Sequence, residues 1–262
     1  MKKLMFLIFF TAFLFSSCVT TNTGFRDYYD SWDYAGLFPQ ESYLAENETP
    51  VIIKTDNLIS KFRETLSEWY WCVGYSGFNG VDLSESEVQA ALENLCKEKK
   101  AKIAIWSKTY TNTRNGVYSI PHTNYHSYTG SNGLIHSYTT TSYSTQSYSV
   151  NRYDYSAYFL IPMTDESKML YMPGVSVADL TQSDRDNFKQ NTGCLVWIVY
   201  KNTSAFYANL ACNDIITSIN GTQILTLKEF LNYKKLSKIG DKWDVTVIRD
   251  GNEKHLKLIY GL

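Results

Sequence analysis

The sequence lacks the patterns that mark several common classes of protein. It has no Gly-x-Ser-x-Gly elbow and only 4 histidines, so we do not expect a serine hydrolase, whose serine needs a positioned histidine. It also lacks an excess of either charge, since 25 Lys and Arg against 26 Asp and Glu give a net charge of −1. There is therefore no electrostatic reason to expect nucleic-acid binding. The abundant residue is tyrosine, with 21 copies, which favours β-structure.

Residues 1–17 have the organisation of an export signal. Two lysines precede an apolar run from Leu4 to Phe15, and two serines come directly before Cys18. The run is too short to span about 30 Å of hydrocarbon comfortably, which favours a cleaved signal over a permanent helix. The segment resembles a bacterial lipoprotein box, and this resemblance implies that Cys18 is lipidated and anchors the chain to a membrane. Ordinary secretion is the alternative.

Four cysteines lie beyond the leader, namely Cys72, Cys96, Cys194 and Cys212. Their spacing is not that of a metal site. An exported chain meets an oxidising compartment in which disulfides persist. Four cysteines allow three pairings, and two in each half of the chain permit one bridge each. Cys194 and Cys212 fall in a predicted core strand and a predicted tight turn, so both are equally compatible with small buried side chains. The sequence leaves the disulfide state open.

Residues 18–54 show no sustained periodicity and are interpreted as a tether, and residues 55–165 as a small α/β unit. A helix with Asp56 as its cap is predicted first. Its apolar face contains Leu58, Ile59, Phe62 and Leu66. A second helix is predicted behind Ser84, which forms a capping box with Glu87. Its buried stripe contains Val88, Ala91, Leu92 and Leu95. Because a strand follows each helix, we expect a parallel crossover.

The second half of this unit is poor in charge. Between Thr109 and Val150 the only Asp, Glu, Lys or Arg is Arg114, while Tyr, Ser and Thr dominate. Such a segment buries little aliphatic surface. It therefore predicts two long strand arms of a β-hairpin, joined by a mobile tip.

A series of short motifs runs through residues 168–262. In order they are Gly174-Val175, Asp179-Leu180-Thr181, Gly193-Cys194-Leu195-Val196, Ser204-Ala205, Ala208-Asn209-Leu210, Asn213-Asp214-Ile215-Ile216, Ile219-Asn220-Gly221 and Arg249-Asp250-Gly251. The series resembles a PDZ domain of the circularly permuted kind found in the high-temperature-requirement serine proteases of the bacterial periplasm. That resemblance implies a partly open β-barrel with two helices. The family has glycine at Asn209 and Asn213, and asparagine is the side chain that best accepts a left-handed backbone.

The resemblance also implies a peptide-binding groove. PDZ domains bind a peptide as an added strand and hold its terminal carboxylate in a nest of backbone amides. The corresponding residues here are Met172, Pro173, Gly174 and Val175 in the nest, Ser176 and Val177 in the pairing strand, and Leu231 and Lys234 in the opposing helix. Pro173 has no N–H to donate, so we expect a weak binder or a binder of internal peptide segments.

The weaker candidates for chemistry are interpreted as structural. His122 and His126 have a spacing that suits a metal on a helix, but the adjacent Pro121 argues against a helix. Asp184 and Asp186 are interpreted as solvated surface. We expect no catalytic residues, no metal and no cofactor.

The sequence as a whole predicts an α+β envelope lipoprotein. It predicts a non-catalytic adaptor that binds a protein or peptide ligand through its PDZ domain. We expect this adaptor to be attached to a membrane through a lipid anchor and to bind no nucleic acid. Val19 is not an acidic residue of the kind that retains some lipoproteins at the inner membrane, which favours the outer membrane. Two alternatives stay open: a structural role in which the PDZ domain only packs, and binding of cell-wall glycan by the hairpin tyrosines.

Overall fold

The computed structural model describes residues 24–32 and 38–261. The predicted leader and Cys18 lie outside these residues. The described residues form six α-helices and 11 strands in two sheets, neither closed into a barrel, which confirms the predicted α+β class. No helix in this part of the chain has the length and apolar character that crossing a membrane requires.

The first unit is built around a five-stranded sheet. Its elements are β1 (Tyr29–Ser31), β2 (Val51–Lys54), α1 (Leu58–Ser67), β3 (Tyr70–Val81), α2 (Glu85–Lys99), β4 (Ile103–Thr129) and β5 (Ile135–Pro162). The strand order is β1-β3-β5-β4-β2. β2 pairs with β4 in parallel, while β5 is antiparallel to both β3 and β4. β3 and β4 therefore run in the same direction, as a crossover requires, but β5 lies between them.

Part of the segment interpreted as a tether is folded into this sheet. β1 pairs with β3, and β2 forms the edge beside β4. Phe25 is fully buried, with its ring 4.9 Å from that of Phe78 and 6.0 Å from that of Tyr155. Short strands with mixed burial leave no periodic pattern, which explains why the sequence did not predict them.

Each of the two helices of this unit begins directly after a residue whose side chain caps it. α1 is capped by Asn57, whose side chain accepts the Ser60 N–H, so the prediction of an Asp56 cap was wrong by one residue. Ile59, expected on the buried face, is 52% exposed. The predicted capping box before α2 is confirmed, since Ser84 and Glu87 bond reciprocally.

β4 and β5 extend far beyond the rest of the first sheet. β2 ends opposite Trp106 and β3 ends opposite Arg152. Beyond these points β4 and β5 pair only with each other, without a break from Asn112 opposite Arg152 to Thr129 opposite Ile135. We call residues 112–129 and 135–151 the ribbon. The predicted long hairpin arms are confirmed, and both outer edges of the ribbon lack a strand partner within the described chain.

The second unit contains a six-stranded antiparallel sheet. Its elements are α3 (Asp165–Met169), β6 (Val175–Asp179), α4 (Gln182–Phe188), β7 (Cys194–Val199), α5 (Ser204–Tyr207), β8 (Ile215–Ile219), β9 (Thr222–Gln223), α6 (Leu227–Leu236), β10 (Lys242–Arg249) and β11 (Asn252–Ile259). The order is β11-β10-β8-β7-β6, with β9 against β8. Asn209 and Asn213 have φ of 64° and 72°, so both accept the left-handed backbone as predicted. Asp250 and Gly251 form the turn of the hairpin that joins β10 to β11.

A buried ion pair secures the turns of this unit. The Asp214 side chain is fully buried and accepts two hydrogen bonds from Arg249, from Nε at 2.5 Å and from Nη2 at 2.6 Å. The Arg249 guanidinium also donates to the Asn209 carbonyl, and Asp214 accepts the Ala211 N–H. The pair thus joins the end of β10 to the turn that precedes β8.

The two units share a buried contact. The Trp69 ring stacks on Tyr200 with centroids 4.2 Å apart, and burial raises the pKa of Tyr200. The Lys201 N–H donates to the Ser67 carbonyl at 2.8 Å, and the Trp69 indole N–H donates to the Lys201 carbonyl at 3.3 Å. A salt bridge of 2.6 Å joins Lys201 to Glu68.

The four cysteines of the described residues are free. Cys96 and Cys194 are buried, and burial raises the pKa of each thiol to about 12. Cys212 is exposed. The alternative of small buried side chains therefore describes Cys194 and not Cys212.

Candidate functional site

The second sheet ends in an open edge at β6. β6 pairs with β7 along one side, from Val175 opposite Val199 to Asp179 opposite Cys194. In the described part of the chain no strand pairs with its other side. Val175 and Val177 pack toward the core, which fixes the strand from behind. An unpaired strand edge can accept a further strand through its main-chain groups.

Helix α6 lies against β6 and forms the second wall. Phe230 is buried and packs edge-on against Trp243 at 6.1 Å, which holds the helix on the core. Leu231, the next residue, is 49% exposed. The surface between the free edge of β6 and this side of α6 is called the groove below.

Two hydrogen bonds mark the two ends of the groove. At one end, the Asp179 carboxylate accepts the Leu227 N–H at 2.7 Å, which ties the end of β6 to the start of α6. At the other end, the Lys234 ammonium donates to the Leu170 carbonyl, which precedes the loop leading into β6. Lys234 is half-buried, and this burial lowers its pKa. It places a cationic group beside that loop.

The backbone amides of the predicted carboxylate nest are already occupied. The N–H groups of Gly174 and Val175 both donate to the Tyr171 carbonyl, at 2.7 Å and 3.0 Å. The Met172 N–H donates to the Met169 carbonyl at 3.4 Å, and Pro173 has no N–H. Residues 172–175 were predicted to form an anion nest, and in the structure the preceding turn supplies the acceptors for their amides.

Gly174 is nevertheless required at its position. Its φ is +96°, and a Cβ there would lie 2.1 Å from Oγ1 of Thr203. Thr203 is buried and donates to the Tyr200 carbonyl at 2.7 Å. Pro173 is also buried, and its carbonyl accepts the Ala205 N–H at 3.2 Å. The loop is thus packed against the start of α5 and hydrogen-bonded to it, and it is not open to a ligand.

The structure brings most of the predicted site residues together. Ser176 and Val177 lie in the open strand, Leu231 and Lys234 lie in the facing helix, and Met172 packs against the core of the unit. The sequence did not reveal the roles of Tyr171 and Leu170. Both act through backbone carbonyls, which every residue carries, so no side-chain signal could have identified them.

The histidines and aspartates considered as metal or acid–base candidates lie away from the groove. His122 and His126 lie in the ribbon, where their Nε2 atoms are 2.7 Å from the Ser144 hydroxyl and 2.8 Å from the Thr140 hydroxyl. Asp184 belongs to the capping box of α4. Within the described residues no group of three or more His, Cys, Asp or Glu could hold a metal ion.

Comparison with known proteins identifies the second unit. Residues 172–259 match the family model of the PDZ domain, so the chain contains a PDZ domain. No curated protein matched the chain. Similar solved structures include the HtrA-type protease AlgW with a decapeptide, at 20% identity and a TM-score of 0.33 over 40% of this chain and 37% of the protease. Another is the HtrA3 PDZ domain bound to the phage-derived ligand FGRWV, at 18% identity and a TM-score of 0.31 over 34% of this chain and 82% of that domain.

Proposed function

We propose that this chain is a non-catalytic, lipid-anchored envelope protein that binds internal segments of a partner protein by strand addition along β6. The observation that carries the proposal is the free edge of β6, which faces α6 inside a PDZ domain. Strand addition needs only main-chain groups on the protein side, so it does not depend on a carboxylate nest. The occupied amides of residues 172–175 favour internal segments over free C-termini.

The anchor is the second part of this proposal. Cys18 follows an apolar run and two small residues, which supports lipidation and retention at a membrane, with the outer membrane favoured by Val19. The anchor would hold the PDZ domain in the envelope, where it meets exported partner proteins.

A peptide array of internal segments, probed with the full chain, tests the binding. For the strongest segments we expect the backbone amides within residues 176–179 that face the free edge of β6 to gain protection from hydrogen exchange. Leu231→Lys, which places a charge on the groove wall, is expected to weaken binding at least about tenfold, a loss of about 1.4 kcal/mol. Ile59→Lys is the matched control, because Ile59 is a similarly exposed helical residue, 52% against 49%, in the other unit. Equal binding by both variants, without protection of β6, would contradict the proposal.

Exposed rings on the ribbon favour one other function, the binding of cell-wall glycan. Tyr125 is 84% exposed and Tyr143 is 70% exposed, and such rings suit sugar faces. Retention of the full chain on cell-wall polysaccharide tests this function. If Tyr125→Ser and Tyr143→Ser abolish retention while the peptide array stays silent, the glycan function replaces the adaptor function.

A further inference from the structure

The two edges of the ribbon differ in the residues that oppose strand addition. The β4 edge contains Arg114 and Pro121, a charge and a residue without an N–H. The β5 edge, residues 135–151, contains no Lys, Arg, Asp, Glu or Pro. Natural sheets protect free edges with charges and prolines. The β5 edge therefore lacks the protection that would keep another strand away.

The sequence of this edge is partly palindromic about Tyr143, since four of the eight residue pairs at equal distances from Tyr143 are identical. Positions at equal distances before and after Tyr143 carry the same residue in several cases. Tyr138 matches Tyr148, Thr141 matches Thr145, and serine matches serine. An antiparallel pair of identical strands places residues at equal distances from its centre opposite each other. Pairing β5 with a second β5 about Tyr143 thus sets like residues opposite like at these four pairs, and cross-strand aromatic and Thr–Thr pairs stabilise sheets.

The backbone of β5 has the correct phase for this pairing. The Gly130 N–H donates to the Leu134 carbonyl at 2.7 Å, and hydrogen-bonded and non-hydrogen-bonded pairs alternate from there along an antiparallel ladder. Pro121 and Tyr143, which lie opposite each other, consequently form a non-hydrogen-bonded pair. The N–H and C=O of Tyr143 then point to the free edge, where a second strand can receive them.

We propose that two copies of this chain dimerise through their β5 edges, in antiparallel register with Tyr143 opposite Tyr143 of the second copy. The two ribbons form one four-stranded sheet with the β4 strands outside. The contact is isologous, so it closes as a two-fold dimer and does not propagate. It also supplies the partner strands that a two-stranded ribbon in water needs for stability. The proposal concerns the ribbon alone and does not depend on peptide binding in the groove.

Cysteine cross-linking of the full chain tests the register, in a Cys212→Ser background that removes the exposed thiol of the described residues. Tyr143→Cys places two Cα atoms about 5.5 Å apart across the two-fold axis, within disulfide range. Thr140→Cys places its Cα atoms about 20 Å apart, six residues along the strand. We expect mild oxidation to link Tyr143→Cys and not Thr140→Cys. A mixture of Thr140→Cys with Gln146→Cys should link, because these positions lie opposite each other. Equal linking of all single variants, or of none, overturns the proposal.

Charge placement on the two edges provides an independent test. Thr141→Lys with Thr145→Lys sets lysines opposite lysines in the proposed dimer, and sedimentation is expected to show the mass halved. Ser119→Lys with Thr123→Lys is the matched control. These residues lie opposite Thr145 and Thr141 in the ribbon, so they add the same charge on the other edge and should leave the dimer intact. A monomeric unsubstituted chain, or the same mass for both variants, overturns the proposal.

Discussion

We expect that amidation of the C-terminal carboxylate of a peptide changes its affinity for this chain by less than about fivefold. The number follows from the donors around the loop that leads into β6. The amides of Gly174 and Val175 are bonded to the Tyr171 carbonyl, and Pro173 has no N–H. The Lys234 ammonium lies beside this loop, and it already has an acceptor in the Leu170 carbonyl. A partly exposed ion pair of this kind contributes about 1 kcal/mol or less.

If the nest were open, amidation of the peptide would change its affinity much more. Two backbone amides that donate to a carboxylate contribute about 1.5 to 3 kcal/mol each, so their loss on amidation weakens binding at least about 100-fold. The assay compares free-acid and amide forms of one peptide by calorimetry, with Lys234→Met as the control that removes the remaining cation. We expect Lys234→Met to abolish any small preference for the free acid. A preference of about 100-fold in the unsubstituted chain would refute the reasoning, since it requires the Tyr171 carbonyl to release both amides.

Two further predictions concern the ion pair and the anchor. Arg249→Met leaves the buried Asp214 carboxylate without its cation, so we expect the PDZ domain to lose about 3 to 5 kcal/mol of stability in urea unfolding; a loss below about 1 kcal/mol would contradict this, being the size expected of an exposed pair. Cys18→Ser is expected to move the chain from the membrane fraction to the soluble fraction and to remove incorporated fatty acid, and an unchanged membrane fraction would contradict lipidation.

The elements that local chemistry dictates could be predicted from the sequence. Ser84 and Glu87 form a capping box because both partners lie within one turn, and the left-handed Asn209 and Asn213 follow from the tolerance of asparagine for that backbone. The long hairpin was likewise predictable, since a charge-poor Tyr and Thr sequence has few alternatives to strand.

Features that depend on tertiary position could not be predicted in the same way. The segment around Phe25 reads as irregular, yet the ring is buried because β3 and β5 supply Phe78 and Tyr155 beside it. The loop before β6 has the spacing of a nest, but the choice of Tyr171 as the acceptor depends on how the chain enters the strand. Spacing identifies the residues of the groove, while hydrogen-bond competition decides what each amide is free to do.

If the groove binds a partner, the contact of Trp69 with Tyr200 affects how that partner is presented. Domains joined only by a linker tumble independently, whereas here the backbones on both sides of the contact exchange hydrogen bonds at Ser67 and Lys201. These contacts oppose independent rotation of the groove relative to the root of the hairpin. If two chains join along their hairpins, their grooves become a pair with fixed spacing, and a partner with repeated segments at that spacing gains avidity that a single segment cannot.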